Sequence, residues 1–153
     1  MTKSTKYFFL IISINLLIAF LIFSAIIDFD FKNTIRFIYD LKMNLLFGVI
    51  GLYFIGYIIG NKLNIIKEKK GTLKIVHGIL AIFLVLIVGT LIGSSVGFLE
   101  EGFPSYLKNG DLLKSLFDYY IKPMFWIMFF GFIPTLLSGI VLGYQLKKLD
   151  KNQ

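Results

Sequence analysis

Four blocks of this chain are almost unbroken in hydrophobic residues, and the polar residues collect between them. The blocks cover residues 7–27, 44–63, 73–99 and 123–146. Each holds the roughly twenty apolar residues that a helix needs to cross the hydrocarbon core of a bilayer. Backbone N–H and C=O groups in that core have to be satisfied within the segment itself, which makes an α-helix the expected form of each block. The pattern predicts an all-α, polytopic membrane protein: four transmembrane helices packed as a bundle, with residues 1–153 forming a single transmembrane domain.

The connections carry weaker patterns. Ile35, Ile38 and Leu41 are spaced as one face of a short helix over residues 34–42, suited to lying on a membrane surface. Over residues 111–121, Leu112, Leu113, Leu116, Phe117, Tyr120 and Ile121 share one side, opposite Lys114, Ser115 and Asp118. Asp111 is a good N-cap type for that segment. Both stretches are read as interfacial helices in extracytoplasmic loops. Tyr119, Tyr120 and Trp126 form an aromatic belt where the fourth block enters.

Inside the blocks, small residues recur at every fourth position. The fourth block has Gly131, Thr135, Gly139 and Gly143. The third has Ala81, Val85, Gly89, Gly93 and Gly97, and the second has Gly48, Gly56 and Gly60, interrupted by Leu52. Lipid tails are as apolar as leucine, so helices in a bilayer pair through close van der Waals contact and interhelical polar bonds, and small residues permit that approach. The rows are expected to pack helices within the chain, or to serve at least one contact with a second copy or another membrane protein.

A few polar residues interrupt the apolar runs. Asn15 stands near the middle of the first block, Thr90, Ser94 and Ser95 near the end of the third. Pro134 cannot donate a helix hydrogen bond and so frees the carbonyl of Phe130. These are candidates for interhelical contacts or for lining a solute pathway. Shifting the second block by 83 residues lays Phe47, Gly48, Gly56, Gly60 and Leu63 on Phe130, Gly131, Gly139, Gly143 and Leu146. That match suggests two tandem hairpins, although the first and third blocks do not align at the same shift.

Composition supports the pattern: 57% of the 153 residues are hydrophobic and the mean hydropathy is +0.81. The formal charge is +7, but the lysines flank the apolar blocks. That arrangement points to anionic lipid headgroups rather than nucleic acid. Ten of the sixteen Lys/Arg residues lie in the N-terminus, the middle connection and the C-terminus. The other two connections hold six, together with seven of the nine acidic residues. By the positive-inside rule both termini are expected in the cytoplasm, with the protein in the cell (plasma or inner) membrane. The first block is longer than the roughly 7–15 residues of a signal-peptide core, so it is read as a retained helix.

The chain has no cysteine, which excludes disulfides, thiolate metal sites and cysteine nucleophiles. All nine Asp/Glu residues fall in the connections and flanks, and the cores of the apolar blocks contain no Lys or Arg of the kind that proton relays place in membranes. His77 is alone, and no nucleophile–base pair, metal set or cofactor motif is present. No catalytic residue, metal site or cofactor is therefore expected. The reading is a non-enzymatic membrane protein acting through helix association. It would be an accessory subunit of a membrane complex or a protective, toxin-immunity-like protein, partnered by the bilayer and by a second copy or another membrane protein. The alternative is a small oligomeric channel or carrier.

Overall fold

The computed structural model describes residues 1–70 and 73–151, and among these every regular element is helical. Helix α1 spans Lys3–Ile26, α2 Phe31–Asp40, α3 Lys42–Lys70 and α4 Ile75–Gly97. A π-helical turn, Phe98–Gly102, leads into α5, Phe103–Asn109. After Gly110 come α6, Leu112–Leu116, a second π-helical turn, Phe117–Ile121, and α7, Lys122–Lys151. Gly71, the expected turn of the middle connection, lies outside the described residues.

Local chemistry accounts for most boundaries. Thr2 caps α1, its hydroxyl accepting the Thr5 N–H. Asp30 caps α2 by accepting from the N–H groups of Lys32 and Asn33. The link between these helices places Asp28 and Phe29 in succession at φ 53° and 55°. That conformation costs most side chains about 1–2 kcal/mol, and the Phe29 N–H bonds the Ser24 carbonyl at 2.7 Å to hold it. Pro104 sits in the first turn of α5, directly after the π-turn. Gly110 ends α5 at φ +71°, a left-handed C-cap that glycine adopts without strain.

Four helical stretches, Lys3–Ile26, Lys42–Ile66, Ile75–Lys108 and Leu112–Lys148, are long and apolar enough to cross a membrane. The last two run 34 and 37 residues, about 50 Å or more at a rise of 1.5 Å per residue. That exceeds the roughly 30 Å hydrocarbon core. The excess is residues 98–121, a cap of two π-turns and two short helices packed on one another. The segment expected as a separate interfacial helix over 111–121 is α6 plus a π-turn, and it runs straight into α7.

The four long helices pack side by side. Helix α4 lies between α3 and α7, and α1 closes the ring against α3 and α7. Phe8, Ile11, Ile12, Leu63, Leu73, Ala81, Ile82, Val85, Leu142 and Leu146 form one buried cluster. Leu10, Leu17, Phe54, Leu80, Phe129 and Ile133 are among the many large apolar side chains left facing outward. Helix α2 stands mostly clear of the rest: only Thr34 is buried, and Phe37 meets Phe23 of α1 with ring centroids 4.4 Å apart.

Charge is divided between the two ends. Lys3, Lys6, Lys62, Lys74, Lys147 and Lys148 are all exposed, on segments joined by the Thr5–Asn61 bond and by the buried cluster that includes Leu63, Leu73 and Leu146. The opposite end carries α2 and the cap, with Asp28, Asp30, Asp40, Glu100, Glu101, Asp111 and Asp118 among Lys32, Arg36, Lys42, Lys108, Lys114 and Lys122.

Candidate functional site: glycine seams, polar pairs and the helical cap

The small-residue rows meet neighbouring helices of the same chain at very short range. Along α3 and α4, the position a Cβ would take on Gly93 lies 2.9 Å from the Asn44 carbonyl oxygen and 3.3 Å from the Cα of Gly48. On Gly97 it would lie 2.7 Å from the Asn44 side-chain nitrogen. Leu52, which breaks the second-block row, is the knob that fills the hollow at Gly89: a Cβ there would stand 2.7 Å from its Cγ. Gly51, absent from the expected rows, is covered by Ile92, the nearest atom being 2.8 Å away.

The α3 row changes partner along its length. Below Leu52 it faces α1, where Gly56 meets Ile12 and Gly60 meets the backbone and hydroxyl of Thr5 at 3.0 Å. On α7, Gly139 meets Ile79 and Ile82 of α4, with the Ile79 Cα 2.7 Å from the Cβ position. Gly143 meets the backbone of Ile75. Between these two lies Gly78, which the four-residue rows do not contain. A Cβ on Gly78 would fall 2.5 Å from the Cα of Gly143, nearer still to its nitrogen, and 2.8 Å from the Gly139 carbonyl oxygen. Gly131 differs from all of these. Its nearest neighbour is Leu86 at 3.7 Å, an ordinary contact. Thr135, on the same row, is buried, and Pro134 beside it is half-buried in a helix that continues past it.

Two of these contacts repeat. Gly56 meets Ile12 and Gly60 meets Thr5, while Gly139 meets Ile82 and Gly143 meets Ile75. The glycines correspond at a shift of 83 and their partners at a shift of 70. The last connection, between α4 and α7, is longer than the one between α1 and α3.

Several polar side chains within the apolar helices are tied to each other, while the buried Ser4 and Ser24 hydroxyls of α1 have no hydrogen-bond partner among the described residues. Ser138 of α7 donates to the Asn15 Oδ1 of α1 at 2.8 Å. Ser13 and Tyr53 pair at 2.7 Å across α1 and α3, and the Ser13 hydroxyl also bonds the Phe9 carbonyl. Ser95 donates to the Leu91 carbonyl at 2.8 Å and accepts from the Tyr120 hydroxyl at 3.2 Å. Thr90 and Ser94 are half-buried on α4. At the basic end, Thr5 donates to Asn61 Oδ1 at 3.0 Å, and Thr2 joins the same oxygen at 3.3 Å. His77 accepts the Lys74 N–H on Nδ1 at 3.0 Å, closing the start of α4.

The cap is pinned by aromatic contacts. Gly102 lies under the Tyr119 and Phe98 rings, whose atoms would come within 2.7 and 2.8 Å of a Cβ. Tyr119 donates to a Glu101 carboxylate oxygen at 3.2 Å. Burial, then the bond and charge of Glu101, push the Tyr119 phenol above its ordinary pKa. Lys122 pairs with Asp118 at 2.5 Å.

No protein-family model, curated protein or solved structure matches this chain.

Proposed function

We propose that this chain is an integral membrane protein with four spans, a non-enzymatic module that acts by association with another membrane component. The role fits an accessory subunit of a membrane complex or a protective protein. One observation carries the reading. The glycine rows and several polar side chains of the spans are engaged within the chain, as Gly78–Gly143, Gly93–Gly48 and Asn15–Ser138 exemplify. A ring of helices closed in that way favours packing over conduction, so the channel reading has less support. It also moves any partner contact, whether to a second copy or to another membrane protein, away from the glycine rows. The uncovered apolar surfaces and the cap would carry it.

The outward leucines and phenylalanines support the membrane reading, because monomers in water rarely expose contiguous apolar surface on this scale. The six exposed lysines at one end support cytoplasmic termini in the cell membrane. The paired contacts at shifts of 83 and 70 support an origin as two tandem hairpins, α1 with α3 and α4 with α7.

The test is site-specific photocrosslinking in native membranes from Phe129, which is 64% exposed on α7, and from Leu113, which is 80% exposed on the cap. A discrete adduct with one membrane protein or a second copy is expected, together with liposomes that pass no solute. Adducts with lipid alone, and solute flux lost on Asn15→Leu, would favour the channel.

A further inference from the structure

Resting on the membrane-spanning reading, we infer that the cap holds a binding site for a zwitterionic phospholipid headgroup of the phosphoethanolamine type. Ser105, Asp111, Lys114, Ser115, Asp118, Tyr119 and Lys122 line a cleft of about 560 Å³, within the size of ordinary small-ligand sites. Its walls come from α5, α6, the second π-turn and the first residue of α7. The π-turn places both Asp118 and Tyr119 on the cleft, and such interruptions of regular helix are frequent at functional sites.

The lining selects the chemistry. Two ammonium groups and two carboxylates face one space, so a ligand of single charge would leave part of the wall opposed by a like charge. Lys122 is held by Asp118, whereas Lys114 makes no ion pair among the described residues. Asp111 has one oxygen on the Lys114 N–H, which caps α6. Lys114 and the hydroxyl of Ser115, a residue only 7% exposed, would take a phosphate. Asp111 and Asp118 would take a primary ammonium through charge-assisted hydrogen bonds. A choline headgroup has no N–H to offer these carboxylates and is recognised instead by cages of aromatic rings. Tyr119 is the one aromatic residue on the wall.

The surroundings point to lipid as the source of that headgroup. Leu107, Leu112, Leu113, Phe117 and Ile121 on the same elements are exposed apolar side chains. Short helices with this uncovered face lie in the interface with their apolar side in the acyl region. The cleft they carry then sits at headgroup depth, beside Tyr120 and Trp126.

Native mass spectrometry of the purified full chain tests this, with phosphatidylethanolamine, phosphatidylcholine and phosphatidylglycerol of identical acyl chains. Phosphatidylethanolamine is expected to be retained about tenfold more than either of the others. Asp118→Asn should abolish that preference, Lys114→Gln should cut retention of phosphatidylethanolamine through the lost phosphate contact, and Lys114→Arg should keep it. Equal retention of the three lipids, stronger retention of phosphatidylglycerol, an unchanged preference in Asp118→Asn, or undiminished retention in Lys114→Gln would overturn the inference. Detergent phase partitioning separates its failure from that of the membrane reading. Protein left in the aqueous phase overturns both, whereas protein that partitions into detergent but binds all three lipids alike overturns the lipid site alone.

Discussion

Replacing Gly78 by alanine adds one methyl group where α4 and α7 approach backbone to backbone. The new carbon would sit 2.5 Å from the Cα of Gly143 and 2.8 Å from the Gly139 carbonyl oxygen. Neither neighbour is the free end of a side chain, so neither can rotate away. Reaching ordinary contact, about 3.4 Å, requires the helices to part by roughly 1 Å at this point. A gap of 0.5–1 Å forfeits about a quarter to a half of each dispersion contact it opens, and this seam also includes Gly139 and Gly143. Overpacking of this kind costs about 1–3 kcal/mol. Alanine returns up to about 1 kcal/mol through its better helix propensity, leaving a net loss of up to about 2 kcal/mol when that return is full. Gly131→Ala is the matched control, on a helix of the same pair with nothing nearer than 3.7 Å. It should be neutral or stabilising by up to about 1 kcal/mol. Reversible unfolding in mixed detergent micelles, followed by circular dichroism, measures both. Gly78→Ala as stable as wild type, with Gly131→Ala destabilised, would refute the seam.

Other outcomes follow from the same contacts. Asn15→Leu should cost about 0.6 kcal/mol and at most about 2 kcal/mol. Ser138→Ala should add little on top of it, which a double-mutant cycle reads as coupling. Phe8→Ala should cost about 3–5 kcal/mol in the same unfolding assay, because Phe8 is fully buried between α1 and its neighbours; a cost below 1 kcal/mol would mean the site is open to lipid. The natural chain has no cysteine, so Lys62→Cys and Ser105→Cys can be labelled singly in intact cells. An impermeant maleimide should reach position 105 and not position 62, and the reverse pattern would invert the orientation.

The presence of four long apolar helices was readable from hydropathy, because length and apolar content are properties of the segment alone, whereas the run of α3 to Lys70 and the continuation of α4 and α7 into the cap were not. Partner assignment was not. The α3 row at four-residue spacing reads as one face, yet Gly48 meets α4 while Gly56 and Gly60 meet α1. A crossing helix touches only part of a row, and where it leaves is decided by tertiary packing. Gly78 escaped notice because it stands off the Ala81–Val85–Gly89 row, three positions before its start and next to a histidine. Its importance comes from two glycines on another helix. Gly131 illustrates the converse: it lies on the fourth-block row but faces a loose contact. Asn15 stood out as the single amide deep in its block, whereas its partner Ser138 is an ordinary residue until α7 is set against α1. The π-turns of the cap have no local sequence signal. They are stabilised by long-range contacts such as Gly102 under Tyr119.

The central claim is that the glycine faces join helices within one chain. Cysteines at positions 48 and 93 test it most directly. A Cβ at Gly48 would lie 3.7 Å from the Gly93 Cα, and a Cβ at Gly93 would lie 3.3 Å from the Gly48 Cα, which puts thiols at the two positions side by side in the seam. Oxidation of Gly48→Cys/Gly93→Cys in membranes should give an internally crosslinked monomer that migrates faster under non-reducing electrophoresis. A crosslinked dimer with no internal product would contradict the account.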